Sequence, residues 1–324
     1  MLSRTADHLY WMARYTERAE NLARMLDVNY RMSLLRQDEE GVRRRWTATL
    51  AIVGQIAPYT AARGTVTQDG AIEWISWSRD NPGSIHECLR LARENAHAVR
   101  GTLTSETWET LNSTWLEVRR FGQSRKPDLD PSDFFEWVKF RSHLARGVIQ
   151  GTMLRDEALK FTWLGTYLER ADNTARILDS KFEPLVPQSP EWDTAADYYE
   201  WSALLRSVSA FEMYRKRFGR IQPDRIAEFL LLDGEFPRSI RHCLVESGIA
   251  LHAITGTPLG GFSNPAEQHL GQLRAELNYA SVADIIAGGL HEFLDGLQTK
   301  LNLIDECVFS TFFAMRPLSD AASA

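Results

Sequence analysis

Two stretches of this chain repeat one another at nearly the same distance. Residues 11–27, WMARYTERAENLARMLD, match residues 163–179, WLGTYLERADNTARILD, at ten of seventeen positions, with an offset of 152. Residues 82–102, PGSIHECLRLARENAHAVRGT, match residues 237–257, PRSIRHCLVESGIALHAITGT, at nine of twenty-one, with an offset of 155. Trp46 and Trp201 align at 155 as well, with Ala48/Ala203 and Leu50/Leu205 close behind. Two matches in one order at nearly one offset indicate a tandem duplication. The period is far longer than that of a solenoid repeat, so the unit is a helical bundle used twice, with boundaries near 1–154 and 155–324. The expected product is one pseudo-symmetric body, because helix 131–154 runs almost directly into 156–182.

The fold class is all-α. Apolar residues recur with helical spacing, and strand-like alternation and Asn-Gly hairpin signals are not found. Helices are expected at about 3–35, 41–57, 69–79, 82–100, 105–120, 131–154, 156–182, 192–217, 223–233, 237–254, 265–278 and 281–315. Asn81-Pro82, Asp130-Pro131 and Asn264-Pro265 each place a capping side chain before a Pro at a first helical position, and Glu267 adds a weak capping box. Segments 183–191 and 255–264 read as loops. Gly288-Gly289, inside the last helix, suggests close helix packing.

Composition narrows the function classes. The chain has 324 residues, 44% hydrophobic, with a formal net charge of −6. That is ordinary for a globular protein and unlike the basic domain of a nucleic-acid binder. Arg43-Arg44-Arg45 reads as a solvated helix face. Three cysteines, Cys88, Cys243 and Cys307, offer neither a disulfide framework nor metal spacing, which points to a reducing, cytoplasmic compartment. Neither a signal peptide nor a membrane span is expected.

The repeated helix carries a polar arc. At 100° per residue, Arg14, Glu17, Asn21 and Arg24 fall within roughly 80° of one another, opposite Met12, Tyr15, Ala19, Leu22 and Leu26. Glu169, Asn173 and Arg176 occupy the same arc in the second copy. A solvated face tolerates any polar residue, so two copies should drift apart there. Here Glu, Arg, Asn and Arg are the same in both copies while core positions have exchanged, Met12 for Leu164 and Leu22 for Thr174. Specific hydrogen bonds are the expected constraint. Buried Glu–Arg pairs could fix how the copies dock, or Arg could form an anionic-ligand pocket; both readings stay open.

The second repeated segment carries Arg93, Glu94, Asn95 and Arg100, where copy two has Gly248, Ile249, Ala250 and Thr255. That one-sided charge is either a solvated face or a site kept by one copy. His97 aligns with His252 and Cys88 with Cys243, and both pairs read as interior packing. Glu94 and His97 fit the Glu-x-x-His spacing of a di-iron bundle once, but Ile249 breaks it in copy two. No nucleotide loop or nucleophile elbow is found, and no cofactor is expected.

The opening MLSRTADHLYWMARYTERAENLARMLD, the segment YLERADNTARILD and NPGSIHECLRLARENAHAVRGTLTSETWETLN resemble the bacterial alpha-E domain family over essentially the whole chain. The resemblance implies an all-helical protein of unknown molecular function. It also implies a gene neighbourhood, or fusion, with circularly permuted ATP-grasp proteins and transglutaminase-like peptidases as possible partners. Matched residue by residue, the family pattern falls on Glu17, Arg18, Glu20, Asn21, Arg24, Glu169, Arg170, Asn173 and Arg176. It also falls on Arg93, Glu94, Asn95, Arg100, Trp108 and Asn112. Asp172 stands where copy one has Glu20. Three functions follow as expectations: an accessory or binding protein for an ATP-grasp amide ligase, an enzyme with a site between the repeated helices, or a scaffold. Carboxylates locked in ion pairs with no cavity nearby would count against the enzyme. A pocket lined by both ladders would count against the scaffold.

Overall fold

Ser3–Ser33 contains neither Gly nor Pro and forms one unbroken helix, α1. In the computed structural model, residues 1–34, 38–123, 130–185 and 195–314 are described. Among them the chain is helical with no strand. The helices that follow are α2 (Glu39–Ile52), α3 (Ile56–Arg63), α4 (Gln68–Ser76), α5 (Ile85–Ala98), α6 (Ser105–Gln123) and α7 (Pro131–Thr152). Then come α8 (Glu157–Leu185), α9 (Ala195–Ser207), α10 (Phe211–Phe218), α11 (Pro223–Leu232) and α12 (Ile240–Thr255). The last are α13 (Pro265–Tyr279), α14 (Val282–Gly288) and α15 (Leu290–Val308), which ends in a π-helical turn, Phe309–Phe313.

The two long repeated helices, α1 and α8, pack extensively against each other. Around α1 pack α5 and α7, with α6 touching both; around α8 pack α12 and α15, with α13 touching both. Each long helix is therefore covered on several sides. This is why α1 buries Arg14, Glu17, Glu20 and Asn21 as fully as it buries Leu9, Met12, Ala19 and Leu26. The aromatic core continues outward through Trp46, Trp74, Trp201 and Phe161, all buried. No helix among the described residues is long and apolar enough to cross a membrane.

Several expected boundaries moved, each for a local reason. Helix 41–57 divides at Gly54, helix 192–217 at Ser209 and helix 281–315 at Gly289, all three with positive φ. Gly288-Gly289 thus serves as a helix break, with Gly289 at φ +100, and not as a packing contact; a Cβ on Gly288 would meet nothing. Close packing falls at Gly165 instead, where a Cβ would strike the backbone carbonyl of Tyr10 on α1. Asp130 and Asn264 cap their helices as expected. Asn81 does not: the N-cap of α5 is Ser84, and that of α12 is its counterpart Ser239. Asn81 instead ties the approaching turn together, donating to Trp74 O and accepting from Gly83 N. Glu267 closes its cap one residue early, accepting from Ser263 N at 2.6 Å. Loop 255–264 is present; of segment 183–191, residues 186–191 lie outside the described residues.

The Gly165 crossing gives a direct test. Gly165→Val should push α1 from α8 and cost about 1–3 kcal/mol, the usual penalty of overpacking. Gly147→Ala, at an exposed α7 position where a Cβ meets nothing, should gain about 0.5–1 kcal/mol. Urea denaturation of both variants beside the parent checks the pair.

Candidate functional site

The polar arcs of α1 and α8 face each other, and they exchange partners. Glu17 accepts two hydrogen bonds from Arg170, at 2.9 and 3.0 Å. Glu169, its counterpart at offset 152, accepts two from Arg18, at 2.6 and 2.8 Å. These are forked guanidinium–carboxylate pairs, the strong geometry for such contacts. Each arginine also lies over the tyrosine three residues before it, Arg18 over Tyr15 and Arg170 over Tyr167. Farther out, Arg45 pairs with Glu200, its own counterpart at offset 155. Residue i meeting j while the equivalent of j meets the equivalent of i is the pattern of an isologous contact. Arg45 thereby departs from the expected solvated face: it is buried, while Arg43 and Arg44 are exposed.

Further arginines complete the cluster. Arg146 of α7 donates to Glu17 at 2.8 Å and also reaches Glu20. Arg238, just before α12, donates to Glu17 Oε1 (2.9 Å), Asn21 Oδ1 (2.8 Å) and Glu20 Oε1 (2.7 Å). Arg24 holds Glu20, and Arg176 holds Asp172, at the same i, i+4 spacing. Arg14 donates to Glu169 at 2.8 Å and also pairs with Asp305 of α15.

Burial alone would raise the carboxyl pKa values, because a charged group loses its water. The arginines outweigh it. Arg170, Arg238 and Arg146 hold Glu17 well below its ordinary value. Arg238, Arg146 and Arg24 hold Glu20 at about 2 even though Glu17 pushes it up. Arg18 and Arg14 hold Glu169 at about 2. The ladder is therefore ionised throughout the neutral range.

A cavity of about 360 Å³ opens against this ladder. Arg18, Asn21 and Leu22 of α1 line it from one side, and Glu169, Asp172, Asn173 and Arg176 of α8 from the other. The turn Asn81-Pro82-Gly83 with Ile52, Val53, Gln55 and Ile75 completes the wall. Within this region Asp172 Oδ1 and Asn173 Nδ2 are buried and have no hydrogen-bond partner. A second, more apolar cavity of about 250 Å³ lies against Glu17, Arg146 and Arg170, with Trp163 and Tyr167 in its wall.

The residues singled out from the sequence thus separate into two groups. Glu17, Arg18, Glu20, Asn21, Arg24, Glu169, Arg170, Asn173 and Arg176 gather along the α1–α8 contact. Arg93, Glu94, Asn95, Arg100, Trp108 and Asn112 gather elsewhere, where α5 meets α6, and none of them lines the ladder cavity. There Arg93 and Arg100 lie 5.2 and 5.5 Å from the Trp108 ring, Arg93 donates to Asn112, and Glu94 pairs with Arg93. Asn95 meets His8 of α1 at 2.8 Å. His97 differs from expectation: it is exposed, its ring tilted against Trp108, whereas His252 is buried against Thr257 O. Cys88 and Cys243 are both buried as read, and burial pushes each thiol up to about 12. Sequence reasoning missed Arg146, Arg238 and Asp305. For Arg238 a signal existed: within matched segments, PGSI faces PRSI.

Two outcomes follow from the ladder. Glu169→Gln leaves half-buried Arg18 without its charge partner and buried Arg14 with Asp305 alone, and should cost about 3 kcal/mol, measured by chemical denaturation. The lowered carboxyl pKa values also set a pH window. The folded state keeps Glu20 and Glu169 ionised down to about 2, against 4.5 ordinarily, so their contribution is complete above pH 4.5 and vanishes as pH falls through about 2. Thermal midpoints should therefore drop across that interval, with a shallower drop in Glu169→Gln.

Three uncharacterized proteins, one from Mycobacterium bovis and two from Mycobacterium tuberculosis strains, are each 25% identical to this chain over 338 aligned residues. The match takes in 96% of this chain but only 37% of each relative, so the chain spans well under half their length. No solved structure matches. Residues 1–313 match the Alpha-E model, described as a predicted alpha-helical domain with a conserved ER motif. Glu17-Arg18 and Glu169-Arg170, the dipeptides that trade carboxylate for guanidinium, are Glu-Arg pairs of that kind, and the chain belongs to the Alpha-E family.

Proposed function

We propose that this chain is a non-catalytic binding module that works beside an ATP-grasp amide ligase and presents a substrate or partner group at the ladder cavity. The observation that carries this reading is the cavity's lining. Both repeated helices contribute polar side chains to it, and a buried Asp172 oxygen there lacks a partner. Buried polar atoms are ordinarily satisfied; Asp172 Oδ1, Asn173 Nδ2 and Asn21 Nδ2, all on residues that line this space, are not. That counts against a pure scaffold. Glu17, Glu20 and Glu169, each held by at least two arginines and kept ionised, make weak proton acceptors near neutral pH. This favours binding over acid–base chemistry.

The ligase partnership is drawn from the family resemblance, and a transglutaminase-like peptidase is a further candidate partner. With an ATP-dependent partner, we read the work as cytoplasmic. We read residues 1–154 and 155–324 as two copies joined in one body, a reading supported by the reciprocal pairs Glu17–Arg170 and Arg18–Glu169.

Sedimentation of the purified chain with a purified ATP-grasp protein encoded beside it tests the proposal. A defined complex, together with ligation that falls when the chain is withheld, is the expected result. Independent sedimentation with ligation unchanged would sink it.

A further inference from the structure

The two halves differ at one position that matters to the cavity. In copy two the turn before α12 carries Arg238, whose buried guanidinium is received by Glu17, Glu20 and Asn21. At offset 152 those three acceptors correspond to Glu169, Asp172 and Asn173 of α8. All three line the cavity, and its wall there includes Gly83, the counterpart of Arg238 at offset 155. The equivalent site therefore keeps the acceptors, on α8 of copy two, and lacks the side chain that would occupy them, because copy one's turn carries Gly83. Glu20 gives one oxygen to Arg238 and Arg24 and ion-pairs with Arg146 through the other, whereas the matching Asp172 meets Arg176 through Oδ2 and leaves Oδ1 buried without a partner; the amide nitrogens of Asn21 and Asn173 lack partners alike.

We infer that this cavity receives a guanidinium group from another molecule, in the place that Arg238 fills in the other half. The inference rests on the reading of the cavity as a binding site. Local charge agrees with a cation. Around Arg238, Glu17 and Glu20 already meet Arg24, Arg146 and Arg170. Around the cavity, the lining carboxylates Glu169 and Asp172 meet the lining arginines Arg18 and Arg176, and Arg14, behind Glu169, is shared with Asp305. A further positive charge is accommodated in the first setting, and the second carries no more arginine than the first. The volume, about 360 Å³, exceeds what a bare guanidinium needs. Leu22, Ile52, Val53 and Ile75 line the same space and would cover an alkyl stem, as apolar surface does for buried arginine stems. The ligand is thus a guanidinium on an alkyl stem, carried by a peptide or by a small molecule.

The substitution that fills the site is already present in the other copy. Gly83 has no positive φ, and a Cβ there meets only Asn81 Oδ1, at 3.4 Å. Gly83→Arg should fold normally and supply its own guanidinium. Calorimetric titration of the full chain with Gly-Arg-Gly and with agmatine is the test. At least one should bind, and whichever is tighter identifies a peptide or small-molecule source. The citrulline analogue Gly-Cit-Gly, which is neutral, should bind at least tenfold more weakly than Gly-Arg-Gly. Gly83→Arg and Asp172→Asn should each lose at least tenfold in affinity while keeping the parent's circular dichroism. Conversely, Arg238→Gly should melt lower than the parent and regain part of that loss in millimolar agmatine. No binding of either guanidinium probe, equal binding of citrulline, or full affinity in Gly83→Arg would overturn the inference. Sedimentation of Gly83→Arg with the ATP-grasp protein separates the two claims. A retained complex without guanidinium binding in the parent defeats this inference and leaves the broader reading standing.

Discussion

The molecule depends on an exchange of charge between two buried helices. Glu17 is held by Arg170 and Glu169 by Arg18, each through a forked pair of hydrogen bonds. Buried carboxylates are costly, and so are buried guanidiniums; each is tolerable because the other is there. The exchange also sets register. Sliding α8 along α1 by one turn would separate both pairs at once, whereas an apolar seam would resist such a slip far less. The α1–α8 contact is therefore specific as well as extensive.

What surrounds the exchange decides the rest. Arg146 and Arg238 crowd the Glu17–Glu20 side, and Arg14 with Asp305 supports Glu169. Because of this support the carboxylates stay ionised, and the ladder behaves as a fixed lattice of charge. Fixed charges beside a cavity suit recognition, since the receiving groups need little reorganisation when a ligand arrives. The Trp108 cluster is a separate surface feature, with Arg93 and Arg100 against the ring.

Much of this was legible in the sequence because duplication supplies a second reading of the same positions. The shared Glu, Arg, Asn and Arg of the repeated helix implied hydrogen-bonded partners, and Glu17, Arg18, Glu169 and Arg170 are indeed paired. Helical period and capping chemistry located most helices. The misses have physical causes. Arg45 sits in a run of arginines whose neighbours are exposed, and only its tertiary partner Glu200 distinguishes it. Arg146 and Asp305 lie on helices with no matched segment, so nothing in the chain flagged them. Ser209 breaks a helix at a positive φ that its residue type does not announce. His97 and His252 share a sequence context, yet one is exposed and the other buried, because their surroundings diverged.

The charge exchange itself is the central claim, and a double-mutant cycle addresses it most directly. Glu17→Gln, Arg170→Met and the double variant would be compared with the parent by urea denaturation. The account expects the two sites to couple by about 1.5–3 kcal/mol, as groups within one buried network do. Coupling within about 0.5 kcal/mol of zero, the value for independent sites, would contradict it.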